Sequence, residues 1–139
     1  MNFLDSSAVV ALLISQPGGD AVAKLLESDP AVIVWWGTRV ECVSAIHRLQ
    51  REKVLDEDQT AHSLTALNDL WDHWMEVLPS SEVRVRALEL VGRHPLKAAD
   101  AFQLAAASVV LRHEDPAGAF VCFDRQLAAA ARVEGLRVA

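Results

Sequence analysis

The chain has 139 residues, 52% of them apolar, with 13 Lys and Arg against 19 Asp and Glu for a net charge of −6. A chain of that length buries roughly 70% of the surface it exposes when unfolded, which with this composition excludes a disordered polymer. Two cysteines, Cys42 and Cys122, exclude a disulfide scaffold, and the acidic balance excludes a basic surface that coats nucleic acid.

In chain order, Asn2–Leu4 is a short apolar run that halts at Asp5, and Ser6–Ile14 continues at helical spacing. Gln16-Pro17-Gly18-Gly19 is a turn. Asp20–Glu27, with Val22, Leu25 and Leu26 on one face, predicts a short amphipathic helix. Ala31–Trp36, set between Asp29-Pro30 and Gly37, predicts a buried strand. Thr38–Glu52 carries Val40, Val43, Ile46 and Leu49 as a helix stripe, and Thr38 with Glu41 fits a capping box. Asp56–Trp74 predicts a longer helix, with Leu64, Leu67, Leu70, Trp71 and Trp74 inward, and Glu76–Leu78 a short strand. A helix capped by Ser80 or Ser81 follows, carrying Val83, Ala87, Leu90 and Val91. After Pro95, Leu96–Leu111 is an alanine-rich helix. Ala119–Phe123 predicts a buried strand that stops at Asp124, Arg125–Val133 a helix closed by Gly135, and Leu136–Val138 a last strand.

No repeat, linker or low-complexity segment divides the chain, so residues 1–139 are expected to form a single domain. Short apolar strands alternating with helices predict an α/β fold with a mostly parallel sheet covered on both faces. The longest unbroken apolar runs, Ala8–Ile14 and Ala31–Trp36, fall far short of the roughly 20 residues a membrane span needs. The opening Met-Asn-Phe-Leu-Asp does not read as a secretory signal, and the cysteines, 80 residues apart, read as reduced and buried. A cytoplasmic protein is expected.

Four acids fall at related places. Asp5 follows the first strand and Asp124 follows the Ala119–Phe123 strand, each opening a helix. Glu41 and Asp100 lie in the first turns of their helices. Each has a plain structural explanation, since Asp is a preferred N-cap and carboxylates suit a helix start. Asp5, Glu41 and Asp124 are placed by the strand-then-helix order where parallel strands end and following helices begin, the edge at which open α/β sheets bind ligands, and Asp100 joins them if its own helix starts at that edge. Carboxylates brought together there repel one another, and a hard divalent cation removes the conflict. Oxygen-only donors indicate Mg²⁺ or Mn²⁺ rather than zinc. The five histidines are never closer than 11 residues, so no paired-histidine zinc motif exists. Neither a phosphate-binding glycine loop nor a Gly-x-Ser-x-Gly elbow is present.

The segments around these acids resemble the PIN-domain family, and among its members the VapC-type ribonuclease toxins of bacterial toxin–antitoxin pairs. Phe3-Leu4-Asp5-Ser6-Ser7-Ala8 is similar to the family's opening motif, and Thr38-Arg39-Val40-Glu41-Cys42-Val43-Ser44-Ala45 to its helix-borne Glu. Leu96-Lys97-Ala98-Ala99-Asp100-Ala101 is similar to the third motif, and Phe123-Asp124 with the residues up to Ala131 to the fourth. The match runs through nearly the whole chain in the family's order; the bulky Trp35-Trp36-Gly37 entry to the Glu helix departs from it.

The resemblance implies a three-layer α/β/α sandwich around a sheet of four to five strands. It also implies a metal-dependent endoribonuclease held inactive by a protein antitoxin. Asp5, Glu41, Asp100 and Asp124 would hold one or two Mg²⁺ or Mn²⁺ ions, with Ser7 supporting Asp5 or a bound water. Attack on the scissile phosphorus would then come from a metal-activated water, with no side chain as nucleophile. Arg39 and Arg125 adjoin motif acids and are either phosphate contacts or arginines that are solvated or in a local ion pair. Trp35 and Trp36 either pack in the core or stack on a splayed base, at most one of them facing the cleft from the strand. A homodimer bound to an antitoxin, with an RNA substrate, is the expected assembly. A housekeeping RNA-processing nuclease, a DNA nuclease and an inactive binding module of the same fold remain the competing readings.

Overall fold

A computed structural model describes all residues, Met1–Ala139. The strands β1 (Asn2–Leu4), β2 (Val32–Trp35), β3 (Met75–Val77), β4 (Ala119–Val121) and β5 (Arg137–Val138) form one sheet in the order β3-β2-β1-β4-β5. Every pairing is parallel, with Phe3 opposite Ile33 on one side and Phe120 on the other.

Side chains alternate along these strands, and two cores result. Leu4, Val32, Val34, Ala119 and Val121 face the helices α1 (Ser6–Leu13), α2 (Gly19–Ser28), α3 (Thr38–Arg51) and α4 (Glu57–Trp71). Phe3, Ile33, Trp35, Phe120 and Cys122 face α5 (Ser81–Arg93), α6 (Ala98–His113) and α7 (Arg125–Val133). Both faces are covered, which is why β2 and β4 are unbroken apolar runs. The molecule is therefore the three-layer α/β/α sandwich that the sequence implies.

Topology places the functional edge. The helices after β1 pack on one face of the sheet, and the helix after β4 packs on the other. β1 and β4 are neighbours, so a crevice opens at their carboxyl ends, the switch point where open α/β sheets bind ligands. Along α6, Ala101 and Leu104–Ala107 are almost fully buried, and this all-round burial explains a helix without a polar stripe. Its alanines let it sit close to both sheet and neighbouring helices.

Several local expectations are corrected. Gly37, not Thr38, is the N-cap of α3, and no side chain caps that helix. Thr38 is the first helical residue, fully buried, and its hydroxyl is drawn to Gln103 instead. α4 stops at Trp71, and its real capping box belongs to Asp56 and Gln59. α6 starts at Ala98 rather than Leu96, β4 ends at Val121 rather than Phe123, and β3 begins one residue early. Val91 is 43% exposed and lies outside the core. Cys42 and Cys122 are buried and free, as expected. No helix is long and apolar enough to cross a membrane.

Candidate active site

Asp5 ends β1 and caps α1. Its Oδ1 accepts hydrogen bonds from the Ala8 N–H at 3.1 Å and the Ser7 hydroxyl at 2.7 Å. The residue is only 3% exposed. Burial pushes its carboxyl up to about 6, against the opposing pull of those hydrogen bonds.

Glu41 stands one turn into α3, half-buried, and accepts from Ser6 Oγ at 2.9 Å and Gln103 Nε2 at 3.2 Å. Burial raises its pKa, and the nearby charge of Asp100 raises it further. Asp100, in the first turn of α6, is raised by burial and then by the charge of Asp124, with Lys97 opposing. Asp124 is exposed and caps α7, its Oδ1 accepting from the Leu127 N–H at 2.8 Å. The structural and functional explanations for Asp5 and Asp124 are thus compatible, because each carboxylate has a second oxygen beyond the one that caps.

The four acids share one electrostatic neighbourhood. Asp124 acts on Asp100 and Asp100 on Glu41. Burial pushes the Cys42 and Cys122 thiols up, and the charge of Asp5 adds to both. No ion pair in the structure neutralises any of the four carboxylates. Ser7 ties the two strand ends together: its hydroxyl donates to Asp5 and accepts from the Phe123 N–H at 2.9 Å.

The cations and aromatics sort differently. Arg39 donates to Asn68 Oδ1 at 2.7 Å and lies 5.8 Å over the Trp71 ring, so it joins α3 to α4 and is committed away from the acids. Arg125 is exposed beside Asp124. Trp35 is core, stacked on Phe102 with ring centroids 5.6 Å apart, while Trp36 is 53% exposed. His94, at the end of α5, pairs with Glu134 and with none of the four acids.

A match to the PIN domain family spans residues 3–133. The chain belongs to the PIN domain family. It is 29% identical over 137 residues to Ribonuclease VapC45 of Mycobacterium tuberculosis, covering 99% of this chain and 93% of that protein. It is 31% identical over 122 residues to VapC ribonuclease R02377 of Rhizobium meliloti, covering 77% and 86%. A solved toxin–antitoxin complex from Klebsiella pneumoniae has a chain of the same fold, with a TM-score of 0.65 at 15% identity over 92% of this chain and 91% of that one.

In this PIN domain, sequence reasoning missed two side chains that hold Glu41, Ser6 and Gln103, and a third, Thr38, that bonds Gln103. Gln103 is 1% exposed and joins Glu41 to Thr38 from the opposite side of the sheet. Its signal was present: it lies three residues after Asp100, on the same helix face, as a lone amide in an apolar stretch. Ser6 and Thr38 carried no signal, because their roles follow from partners 35 and 65 residues away.

The donors of this PIN domain edge fit a hard divalent cation. They are all carboxylate oxygens, three of the four hold raised pKa values, and none forms an ion pair. No three of these side chains are gathered closely enough to form a ready-made cage for an ion, so the fit lies in the donor chemistry.

Proposed function

We propose that this PIN domain is a metal-dependent endoribonuclease and the toxin half of a type II toxin–antitoxin pair. The observation that supports this reading is the placement of Asp5, Glu41, Asp100 and Asp124 at the switch-point edge, with Asp124 acting on Asp100 and Asp100 on Glu41, and with no ion pair to any of the four. Relatives along nearly the whole chain named as VapC ribonucleases give the chemistry its direction.

Asp5, Glu41, Asp100 and Asp124 would hold one or two Mg²⁺ or Mn²⁺ ions, which supply positive charge at a phosphate and a water of lowered pKa when bound. The rest falls to the chain itself. Ser7 and the Ala8 N–H fix the Asp5 carboxylate, while Ser6 and Gln103 fix that of Glu41. Neither thiol serves as nucleophile, since both are buried and held protonated. Phosphodiester hydrolysis by an activated water is the reaction that such an edge serves.

Partner surfaces are available. Val85, Leu88 and Val91 form an exposed apolar stripe along α5, and Leu12, Leu13, Leu26 and Leu70 line a groove between α1, α2 and α4. A homodimer and an antitoxin account for them, in the cytoplasm where the RNA target is.

Expression of the chain alone is expected to arrest growth, and co-expression of a small neighbouring antitoxin gene to restore it. The purified protein is expected to cleave single-stranded RNA with Mg²⁺ or Mn²⁺ and to stop in EDTA. Cleavage of DNA alone, or RNA cleavage without growth arrest, would point to the other nucleases of this fold. Neither Mn²⁺ binding nor cleavage would mean an inactive binding module.

A further inference from the structure

Beside the carboxylate row lies a cleft that the chemistry so far leaves unused. Ser6, Ser7, Val10, Arg48 and Phe123 contribute to its walls. The two serines are those that hold Glu41 and Asp5, so the cleft is continuous with the acidic edge.

Phe123 immediately precedes Asp124 and is 43% exposed. This exposed ring is fixed in place. Its backbone N–H donates to Ser7 Oγ at 2.9 Å, and the ring lies against Gly18, whose φ is +101°. A Cβ at Gly18 would stand 2.6 Å from the ring's Cζ, so the glycine both makes the turn and leaves room for the aromatic. Arg48 is exposed two turns beyond Glu41 on α3, and no carboxylate pairs with it. The cleft therefore presents a fixed π-face, two hydroxyl-bearing residues and one free guanidinium beside an edge that repels phosphates.

We infer that this cleft holds the nucleotide next to the scissile bond of single-stranded RNA, with its base stacked on Phe123 and its phosphate on Arg48. The inference rests on the nuclease reading. Stacking requires an unpaired base and accepts any base, because every base has a π-face. A guanidinium at the rim offsets the repulsion between backbone and carboxylates and sets which way the strand enters.

The test combines cleavage kinetics with binding of fluorescein-labelled oligouridylate in EDTA, using wild type, Phe123→Leu, Phe123→Trp, Arg48→Gln and Arg48→Lys. Phe123→Leu keeps an apolar group over Gly18 and removes the ring. It raises KM and Kd about tenfold, the size of losing one base–aromatic stack, with kcat within about twofold. Phe123→Trp restores binding. Arg48→Gln weakens binding and flattens its salt dependence, and Arg48→Lys retains most of both. An abasic ribose-phosphate oligomer binds wild type and Phe123→Leu equally but loses affinity for Arg48→Gln. If wild type cleaves RNA while Phe123→Leu and Arg48→Gln keep its KM and Kd, the subsite is wrong and the nuclease reading stands. The same result with loss of antitoxin binding by these variants would give the cleft to a protein segment instead. If wild type neither cleaves nor binds RNA, both fall together.

Discussion

At the scale of single residues, two of the four acids carry two duties that mutation can separate. Asp5 and Asp124 each cap a helix through Oδ1, and Asn caps as well as Asp does. Asp124→Asn is therefore expected to keep its urea midpoint while losing metal-dependent cleavage, whereas Asp124→Ala also loses about 1 kcal/mol of stability. Equal losses of stability in both variants would contradict this division. Gln103 is a positioning residue: Gln103→Leu strands the buried Thr38 hydroxyl, costs about 1–3 kcal/mol, and slows cleavage by freeing Glu41, both read in one preparation. The acids were legible in the sequence because strand ends and helix starts are local signals. Gln103, Thr38 and Arg39 were not, since their partners are set by the packing of α3 against α4 and α6. The Thr38–Glu41 spacing imitated a capping box, but a buried partner for Thr38 outcompeted its own helix end.

At the scale of elements, periodicity and punctuation revealed every helix and strand, and the errors lie at their ends. Trp74 shares a helix face with Trp71 in the sequence, yet the turn at Asp72–His73 places it beyond α4, with the rings 6.0 Å apart. The Asp56–Gln59 capping box starts that helix away from the acids. Asp56→Ala should cost about 1 kcal/mol in urea denaturation and leave cleavage unchanged. The end of α7 is anchored by Glu134, whose side chain is 7% exposed and meets Arg86 and His94. Burial alone would raise its pKa, but the hydrogen bonds from His94 and Arg86 and the charges of Arg86 and Arg93 outweigh it and hold it at about 2. The folded value lies below the unfolded one. The stability it contributes is therefore present above the ordinary carboxylate pKa and lost as pH falls through that value toward about 2. Glu134→Gln is expected to cost about 3 kcal/mol near neutrality, and the gap from wild type should close as acid is approached. A gap independent of pH would show that charge is not its source.

At the scale of the whole molecule, the net charge of −6 acquires a location. Four of the negative charges lie at one sheet edge between two cores, where a bound cation, on the proposed reading, would relieve them. Mg²⁺ or Mn²⁺ at 100 times its Kd is expected to stabilise the fold by about 2.7 kcal/mol, seen as a rise in melting temperature that Asp100→Asn abolishes. An acidic protein can act on RNA when its positive charge is borrowed. The central claim is that the four carboxylates form one metal-dependent nuclease centre. It is tested most directly by the rate of RNA cleavage against Mg²⁺ or Mn²⁺ concentration, for wild type and for folded Asp100→Asn. The account predicts saturable, EDTA-sensitive cleavage by wild type and a loss of about a hundredfold or more in the variant. Cleavage by folded Asp100→Asn at the wild-type rate would contradict it.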